Sequence, residues 1–260
     1  MGIRLTGKFV VVTGASSGIG LAMATALAAE GASVGLAARP GIKLDTAVRM
    51  LHDKGLNALA LPMDVRDPQS VQQASDHIQR RWPQLDMVVN NAGIGMRTVN
   101  PEFFREPQPF FRVSPEQFED VIATNLTGYF LVSRAFFAIF ERQRHGRFVN
   151  ISMNHETMIR QGFTPYGPSR AGAEALSHIM AKDLEAYHVT VNILLPGGAT
   201  QSGMIPEGIP DSVRAHLIDP AVMGPPIVFL ASDEAQGITG QRIVATSWSE
   251  WCREHHVLHP

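Results

Sequence analysis

The sequence predicts an α/β fold in which one doubly wound parallel β-sheet carries helices on both faces. Short apolar runs alternate with longer helix-type runs along most of the chain, a pattern typical of βαβ units. A glycine-rich turn joins the first apolar run to the first helical run, between Thr13 and Leu21. No low-complexity linker divides residues 1–260, so a single domain is the simplest interpretation.

The predicted elements alternate in type. Strands are predicted at 9–13, 33–37, 58–63, 87–90, 147–152, 190–195 and 242–244. Helices are predicted at 18–29, 42–54, 67–82, 115–142, 166–187 and 220–231. The fourth helix has a strong start signal, because Ser114 can cap it, Pro115 fits its first turn and Gln117 follows three residues after the cap.

The composition excludes several classes of protein. Apolar residues make up 45% of the chain and charged residues 18%, as in an ordinary globular protein. The net charge of −2 gives no reason to expect nucleic acid or a membrane as partner. Cys252 is alone, no apolar run is judged long enough to span a bilayer, and the first residues lack a secretory signal. We therefore expect a cytoplasmic protein, and the histidine spacing predicts no metal site.

Three segments break the alternation of strands and helices. Residues 94–113 contain four Phe and three Pro, residues 197–219 are rich in Gly and Pro, and a tail follows at 245–260. Long loops often form lids or binding walls, although the first loop fits an insertion packed on a neighbouring subunit equally well. Residues that would give the substrate site an apolar lining, unless they belong to the core or an interface, are Met96, Phe103, Phe104, Phe110, Met153, Phe163 and Met204.

The glycine-rich turn is the strongest functional signal. Its spacing is Gly-x-x-x-Gly-x-Gly, at Gly14, Gly18 and Gly20. Glycines allow the backbone to approach a ligand closely, and a helix N-terminus offers N–H groups to a pyrophosphate. Ser16 and Ser17 add hydroxyl groups at the same place. The turn therefore predicts a dinucleotide site, with an ordinary βα turn as the alternative.

Short motifs along most of the chain have an order and spacing that resemble the short-chain dehydrogenase/reductase family, from Gly7 to about Ile243. They are Thr13-Gly-Ala-Ser-Ser-Gly-Ile-Gly20, Met63-Asp64-Val65, Asn90-Asn91-Ala92-Gly93, Thr124-Asn125-Leu126-Thr127-Gly128, Tyr166 with its helix, Val191-Asn192 through Pro196-Gly197, and Phe229 to Gln241. The resemblance implies a Rossmann fold that binds NAD(H) or NADP(H) at the carboxyl ends of the strands.

The resemblance also implies which residues contact the cofactor. Ile19 is expected to contact the cofactor together with the glycines and serines of the turn. Asp64 and Val65 are expected to contact the adenine. The alternative is that Asp64 only caps the following helix. Residues that would run along the rest of the cofactor are Asn91, Ala92 and Gly93 after the fourth strand and Pro196, Gly197 and Thr200 after the sixth.

The end of the second strand predicts the cofactor preference. NAD-dependent relatives carry an acidic residue there, which binds the ribose hydroxyls. This chain has Ala38 followed by Arg39. Because a guanidinium pairs with a phosphate, NADP(H) is favoured over NAD(H). The alternative is that Arg39 stacks on adenine or faces solvent.

The catalytic residues match the family only in part. Tyr166 stands at the acid/base position and Asn125 at the position of a supporting amide. Arg170 replaces the usual Lys, keeping the positive charge that stabilises a tyrosinate and contacts the ribose. Met153 replaces the Ser that polarises the carbonyl, and a thioether cannot donate a hydrogen bond. The candidate replacement donors are Ser152, Asn154, His155 and Thr157. Asn154 is the first choice, with loop hydrogen bonding as its alternative role.

Three functions remain open at this point. The leading one is an NADP(H)-dependent oxidoreductase acting on an apolar or aromatic ketone, aldehyde or alcohol. The pair of Tyr166 and Arg170 resembles part of the catalytic set of halohydrin-dehalogenase-like lyases, which are the second possibility. The third is an NADP-binding protein with little or no activity, because Met153 stands where a catalytic Ser is expected. We expect a homodimer or homotetramer formed through helices 115–142 and 166–187. Trp248 and Trp251 are expected to pack on the surface, with the substrate mouth as alternative.

Overall fold

A computed structural model describes residues 4–206, 208–209 and 211–257. Positions 1–3 and 258–260 of the predicted domain, and positions 207 and 210 of the second loop, lie outside the described residues. Within the described ranges, seven strands form one parallel sheet in the order β3-β2-β1-β4-β5-β6-β7. They are β1 Phe9–Thr13, β2 Ser33–Ala38, β3 Ala58–Pro62, β4 Met87–Asn90, β5 Gly146–Ile151, β6 Val189–Leu195 and β7 Arg242–Val244.

Helices cover both faces of this sheet, so the predicted fold class is confirmed. They are α1 Gly18–Ala29, α2 Ile42–Asp53, α3 Pro68–Arg81, α4 Pro115–Ile122, α5 Gly128–Gln143, α6 His155–Met158, α7 Tyr166–Asp183, α8 Asp211–Arg214, α9 Gly224–Ala231 and α10 Trp248–Glu254. One apolar core lies between the sheet and α1, α2, α9 and α10. The other lies between the sheet and α3, α5 and α7. The strand order reverses between β1 and β4, which places a ligand crevice at the carboxyl ends of these strands.

Most predicted elements agree with the structure to within one residue at each end. The exceptions are three helices, of which two are shorter than predicted and one is interrupted. The helix predicted at 166–187 ends at Asp183, and the one predicted at 220–231 begins as a 3₁₀ turn, Pro220–Met223. The helix predicted at 115–142 begins with the expected capping box of Ser114 and Gln117 but is interrupted by a π-helical turn, Ala123–Thr127.

The sequence analysis found no apolar run long enough to span a bilayer, and this interrupted helix corrects that expectation. The continuous helical run 115–143 is long and apolar enough to cross a membrane by length and composition alone. Its inner side, however, is part of the core, where Val132, Phe136 and Phe140 are completely buried. The apolar residues on that side therefore pack in the core.

The C-terminal tryptophans are core residues, and the expectation of surface packing was wrong. Trp248 and Trp251 are both buried, and their rings stack with centroids 5.2 Å apart. Both rings also pack against Phe229 of α9, with ring centroids 5.3 Å apart for Trp248 and 5.8 Å apart for Trp251. Since residues three apart lie on one face of a helix, α10 presents both rings to the same core.

Candidate active site

The glycine turn lies at the carboxyl end of β1 and is packed too closely for side chains. Gly14 has a φ of +65°, and a Cβ there would lie 2.8 Å from the Cα of Ala92. A Cβ at Gly20 would overlap the side chain of Asn91. Ser17 is the N-cap of α1, yet its side chain makes no capping hydrogen bond. The glycines therefore let the turn pack directly against the segment after β4, and the uncapped N-terminus of α1 and the Ser17 hydroxyl lie in the same turn.

The Thr13 hydroxyl fixes the end of β4 against this turn. It accepts hydrogen bonds from the backbone N–H groups of Asn91 and Ala92, both at 2.9 Å, and donates to the Val89 carbonyl. The Asn91 amide in turn donates to the Thr13 carbonyl at 2.8 Å. The side chain of Asn91 thus supports the turn, and the segment that follows it is held beside the crevice.

The ends of β2 and β3 carry two arginines beside one carboxylate. Arg39 is exposed just after β2, and Asp64 follows β3. Arg66, which sequence reasoning missed, donates to Asp64 from Nη2 at 3.1 Å and from Nε at 3.3 Å. The side-chain hydrogen bond from Arg66 holds the pKa of Asp64 below its ordinary value, and the charge of Arg39 acts in the same direction. Asp64 does not cap α3, because Asp67 does so through the Gln69 N–H.

Tyr166 and Arg170 lie one turn apart at the start of α7. Tyr166 is partly buried, whereas Arg170 is only 3% exposed. Nη1 of Arg170 donates to the Tyr129 hydroxyl at 2.6 Å and to the Ile151 carbonyl at 3.0 Å. Its Cζ lies 5.4 Å from the centroid of the Tyr166 ring, within cation–π distance. Burial alone would lower the pKa of Arg170, but the Tyr129 and Tyr166 phenols raise it above its ordinary value.

The π-helical turn places Asn125 between this helix and the segment after β4. Its Oδ1 accepts from the Ile94 N–H at 2.9 Å, and its Nδ2 donates to the Ile94 carbonyl at 2.9 Å and to the Ser169 hydroxyl at 3.0 Å. Asn125 is completely buried. π-Helical turns are frequent at functional sites because they redirect a side chain, and here the redirected amide joins the predicted catalytic helix to the predicted cofactor segment.

The segment after β5 separates the candidate carbonyl donors. Met153 packs with Tyr166 against an apolar cluster. Ser152 and His155 instead contact Glu174 on α7, at 2.5 and 3.1 Å. Glu174 is two helical turns beyond Tyr166, so neither of these side chains is directed at the tyrosine. The Asn154 amide donates to the Gly197 carbonyl at 2.9 Å, which leaves one of its two N–H groups for another acceptor.

The segment after β6 is held by the C-terminal part of the chain. Gly197 has a φ of +104°, and a Cβ there would overlap the Thr246 hydroxyl. The Thr246 N–H donates to the Pro196 carbonyl at 3.2 Å. Thr200 is buried, and its hydroxyl bonds back to the Gly198 carbonyl at 3.2 Å. The predicted nicotinamide contacts therefore form one fixed backbone segment.

The two irregular loops meet over the Tyr166 side of the crevice. Met96, Phe103 and Phe163 are buried together in the apolar cluster, with Phe104 packed against them. Arg97 donates to the Gly203 carbonyl at 3.0 Å, Arg105 donates to the Gly208 carbonyl, and Met204 lies against Gly95. Phe110 is 72% exposed, so the prediction that it joins this lining is wrong. A 3₁₀ turn, Phe110–Arg112, carries it outward.

The residues present fit a bound dinucleotide. The turn after β1 leaves the N-terminus of α1 without a side-chain cap at the carboxyl edge of the sheet, and Nε of Arg170 is buried without a partner among the described residues. An unpartnered buried donor favours a ligand oxygen at that point. Within residues 4–206, 208–209 and 211–257, no group of three or more His, Cys, Asp or Glu side chains is arranged for a metal ion.

Comparison with known proteins decides the family. The profile of the family described as short chain dehydrogenase matches residues 8–208. The chain belongs to this family. It is 32% identical over 252 residues to the 3-oxoacyl-[acyl-carrier-protein] reductase of Escherichia coli (strain K12), covering 93% of this chain and 96% of the relative. It is also 32% identical over 193 residues to the 5-keto-D-gluconate 5-reductase of the same organism, covering 74% of this chain and 72% of the relative.

Solved structures show the same architecture. A short-chain type dehydrogenase/reductase from Mycobacterium marinum has a TM-score of 0.81 at 26% identity, over 95% of this chain and 97% of that one. A metagenomic short-chain oxidoreductase in complex with NADP has a TM-score of 0.77 at 26% identity, over 93% and 97% of the two chains. This short-chain dehydrogenase is therefore an enzyme that uses NAD(P) as cofactor.

A close contact at Gly93 gives a direct test of this geometry. A Cβ at Gly93 would overlap Nη2 of Arg170 and lie 3.0 Å from Oδ1 of Asn125. Gly93→Ala is expected to lower the free energy of unfolding by about 1–3 kcal/mol and to weaken NADPH binding, as measured by thermal unfolding and fluorescence titration. The matched control is Gly203→Ala, because no atom lies within 4 Å of a Cβ there. Equal effects of the two substitutions would contradict the packing.

Proposed function

We propose that this short-chain dehydrogenase interconverts an apolar or aromatic ketone or aldehyde and the corresponding alcohol, with NADP(H). The observation that carries the proposal is the buried guanidinium of Arg170 at the carboxyl edge of the sheet, whose Cζ lies 5.4 Å from the centroid of the Tyr166 ring. Tyr166 is assigned as the acid/base that exchanges a proton with the substrate oxygen. The bound nicotinamide supplies or accepts the hydride.

Arg170 is assigned as the electrostatic activator of Tyr166. A guanidinium stays protonated at any ordinary pH, so Arg170 can stabilise a tyrosinate but cannot pass on a proton of its own. Its unpartnered Nε is the donor that we assign to a cofactor hydroxyl. Asn125 holds the start of α7 through Ser169, and Ser169 bonds to the Tyr166 carbonyl at 2.7 Å. Asn125 therefore fixes the position of the acid/base.

Substitution of the pair tests the acid/base assignment. Tyr166→Phe is expected to reduce turnover of apolar ketones by about a hundredfold or more while leaving NADPH binding nearly intact. Arg170→Lys keeps the charge and should retain activity, whereas Arg170→Met should lose it. Steady-state NADPH oxidation measures all three, with Tyr187→Phe as control. A Tyr166→Phe enzyme with full turnover would exclude the assignment.

The NADP(H) preference rests on the end of β2. Ala38 replaces an acidic residue, and Arg39 is exposed beside the crevice with Arg66 nearby on the same carboxylate. Arg66 is shared by two carboxylates, Asp64 at 3.1 Å and Asp120 at 3.5 Å. Arg39 is therefore the guanidinium that we assign to a 2′-phosphate, which it would bind more strongly than bare hydroxyls.

Arg39→Ala is expected to cost about 1.5–3 kcal/mol of NADPH binding and to leave NADH binding almost unchanged. Arg49→Ala on the exposed side of α2 removes the same charge and serves as control. Fluorescence titration of both nucleotides gives the preference. Tighter binding of NADH by the unmodified enzyme would refute the proposed selectivity.

The group that polarises the carbonyl is proposed to be Asn154, since Met153 has no donor at the expected position. One Asn154 N–H is bonded to Gly197, and the other remains for the substrate. Asn154→Ala should therefore slow turnover, whereas Met153→Ser should change it little. The kcat values decide the matter: an unaffected Asn154→Ala enzyme together with a faster Met153→Ser enzyme would place the missing donor at Met153 instead.

The apolar cluster supports the proposed substrate class. Met153 and Tyr166 contact it from the crevice side, and Met96, Phe103 and Phe163 form its interior. An apolar or aromatic carbonyl compound would bury its surface against the partly buried Met153 and Tyr166, with the cluster behind them. The intact glycine turn argues against a halohydrin-dehalogenase-like lyase, which has no need of a pyrophosphate site.

A homodimer or homotetramer is proposed from exposed apolar residues on the helices expected to pair. Phe118 on α4, Phe130 on α5 and Ile179 on α7 are all exposed. Phe130→Glu is expected to lower the molar mass measured by light scattering, whereas Ile42→Glu at the exposed start of α2 should not. A monomer at micromolar concentration before any substitution would rule out this assembly. A cytoplasmic location belongs to the same proposal and is open to cell fractionation.

A further inference from the structure

The Arg170 guanidinium depends on a residue outside the catalytic motif. Among the described residues, Nη1 of Arg170 donates to the Tyr129 hydroxyl at 2.6 Å and to the Ile151 carbonyl at 3.0 Å, so the hydroxyl is the nearer acceptor. Arg170 is buried, so water does not replace a lost acceptor, and a charged donor without a partner is strongly unfavourable there. The position of the guanidinium is therefore set largely by the position of the Tyr129 hydroxyl.

Tyr129 is itself held in place. It lies on α5 one helical turn after Asn125 and is 1% exposed. Its hydroxyl donates to the Ile151 carbonyl at 3.1 Å while accepting from Arg170. Burial raises the pKa of Tyr129 above its ordinary value. The phenol therefore keeps its proton for Ile151 and offers a lone pair to Arg170, a pairing that phenylalanine cannot provide.

The two tyrosines hold the guanidinium between them. The Cζ of Arg170 lies 5.5 Å from the Tyr129 ring centroid and 5.4 Å from the Tyr166 ring centroid. Tyr129 anchors Nη1 on one side, and the charge faces Tyr166 on the other. Arginine is longer than the lysine that relatives carry here, and the Tyr129 hydroxyl supplies the acceptor that the extra length requires.

We propose that Tyr129 is a positioning residue that aims the Arg170 charge at Tyr166. The inference rests on the proposed function, because it requires Arg170 to stabilise the tyrosinate of Tyr166. It adds that Arg170 can do so only with the Tyr129 hydroxyl in place, and that a lysine at position 170 would not need this hydroxyl.

The first test uses the cofactor-free protein. The chain contains three tyrosines, so Tyr187→Phe leaves Tyr129 and Tyr166, and Tyr129→Phe added to it leaves Tyr166 alone. Tyrosinate absorbance is followed as the pH is raised. If Arg170 stabilises the tyrosinate, adding Arg170→Met to the Tyr187→Phe protein moves the first tyrosinate step to higher pH. Adding Tyr129→Phe instead should produce part of that shift. No shift with Tyr129→Phe, beside a clear shift with Arg170→Met, would overturn the inference.

The second test is a double-mutant cycle on turnover. Tyr129→Phe is expected to lower kcat for an apolar ketone about tenfold, because a small misplacement of the activating charge is costly. In an Arg170→Lys enzyme the same substitution should change kcat within about twofold. Tyr187→Phe is the control, because Tyr187 also lies beside an arginine, with the Cζ of Arg144 5.3 Å from its ring. Equal losses in the arginine and lysine enzymes would show that Tyr129 acts only on stability.

The outcomes separate this inference from the function on which it rests. If Tyr166→Phe and Arg170→Met abolish turnover but Tyr129→Phe changes neither the titration nor kcat, only the role of Tyr129 is wrong. If Arg170→Met changes neither, both proposals fail. Thermal unfolding of each variant shows that the comparison is made between folded proteins.

Discussion

A permanent positive charge buried at the carboxyl edge of β5 is the constraint on which the site depends. Arg170 cannot relieve its burial by losing a proton, so its neighbours must accommodate the charge. Tyr129 and the Ile151 carbonyl accept from Nη1. Gly93 leaves room for Nη2, where any side chain would overlap it. A strand end, a helix and the segment after β4 are thus all adapted to one guanidinium.

The helix that carries this charge also carries a buried charge of the opposite sign. Glu174 lies one turn beyond Arg170 on α7 and accepts from Ser152 and His155 after β5 and from Arg242 on β7. Arg242 also donates to the Met153 carbonyl at 2.8 Å. Because these contacts converge on one helix, α7 positions both the proposed acid/base and the segment proposed to polarise the carbonyl. A shift of α7 would disturb both halves of the reaction together.

The fold was predictable because its signals are local. The turn between Thr13 and Leu21 and the capping box at Ser114 each lie within a few consecutive residues, and the structure has the predicted strand and helix at each place. The errors concern contacts between distant residues. Trp248 and Trp251 are polar-flanked in sequence, and only their packing on Phe229 makes them core residues.

Some residues of the candidate site could likewise be predicted from local motifs, and others could not. The positions of Tyr166, Arg170 and the glycines follow from spacing within motifs. Arg66 on Asp64 and Tyr129 beside Arg170 had no such signal. An arginine that takes the place of a lysine does indicate that a new acceptor is required, but only the meeting of α5 with α7 identifies it as Tyr129.

The ties between the two loops have a consequence for how this enzyme can diversify. Arg97 and Arg105 of the first loop donate to the carbonyl groups of Gly203 and Gly208, which belong to the main chain. Main-chain carbonyls are present whatever residue stands at a position, so the second loop can exchange its side chains while the cover over the crevice stays attached. Exchange of side chains in the second loop therefore leaves the attachment between the two loops intact, whereas replacement of either arginine would remove one of its contacts.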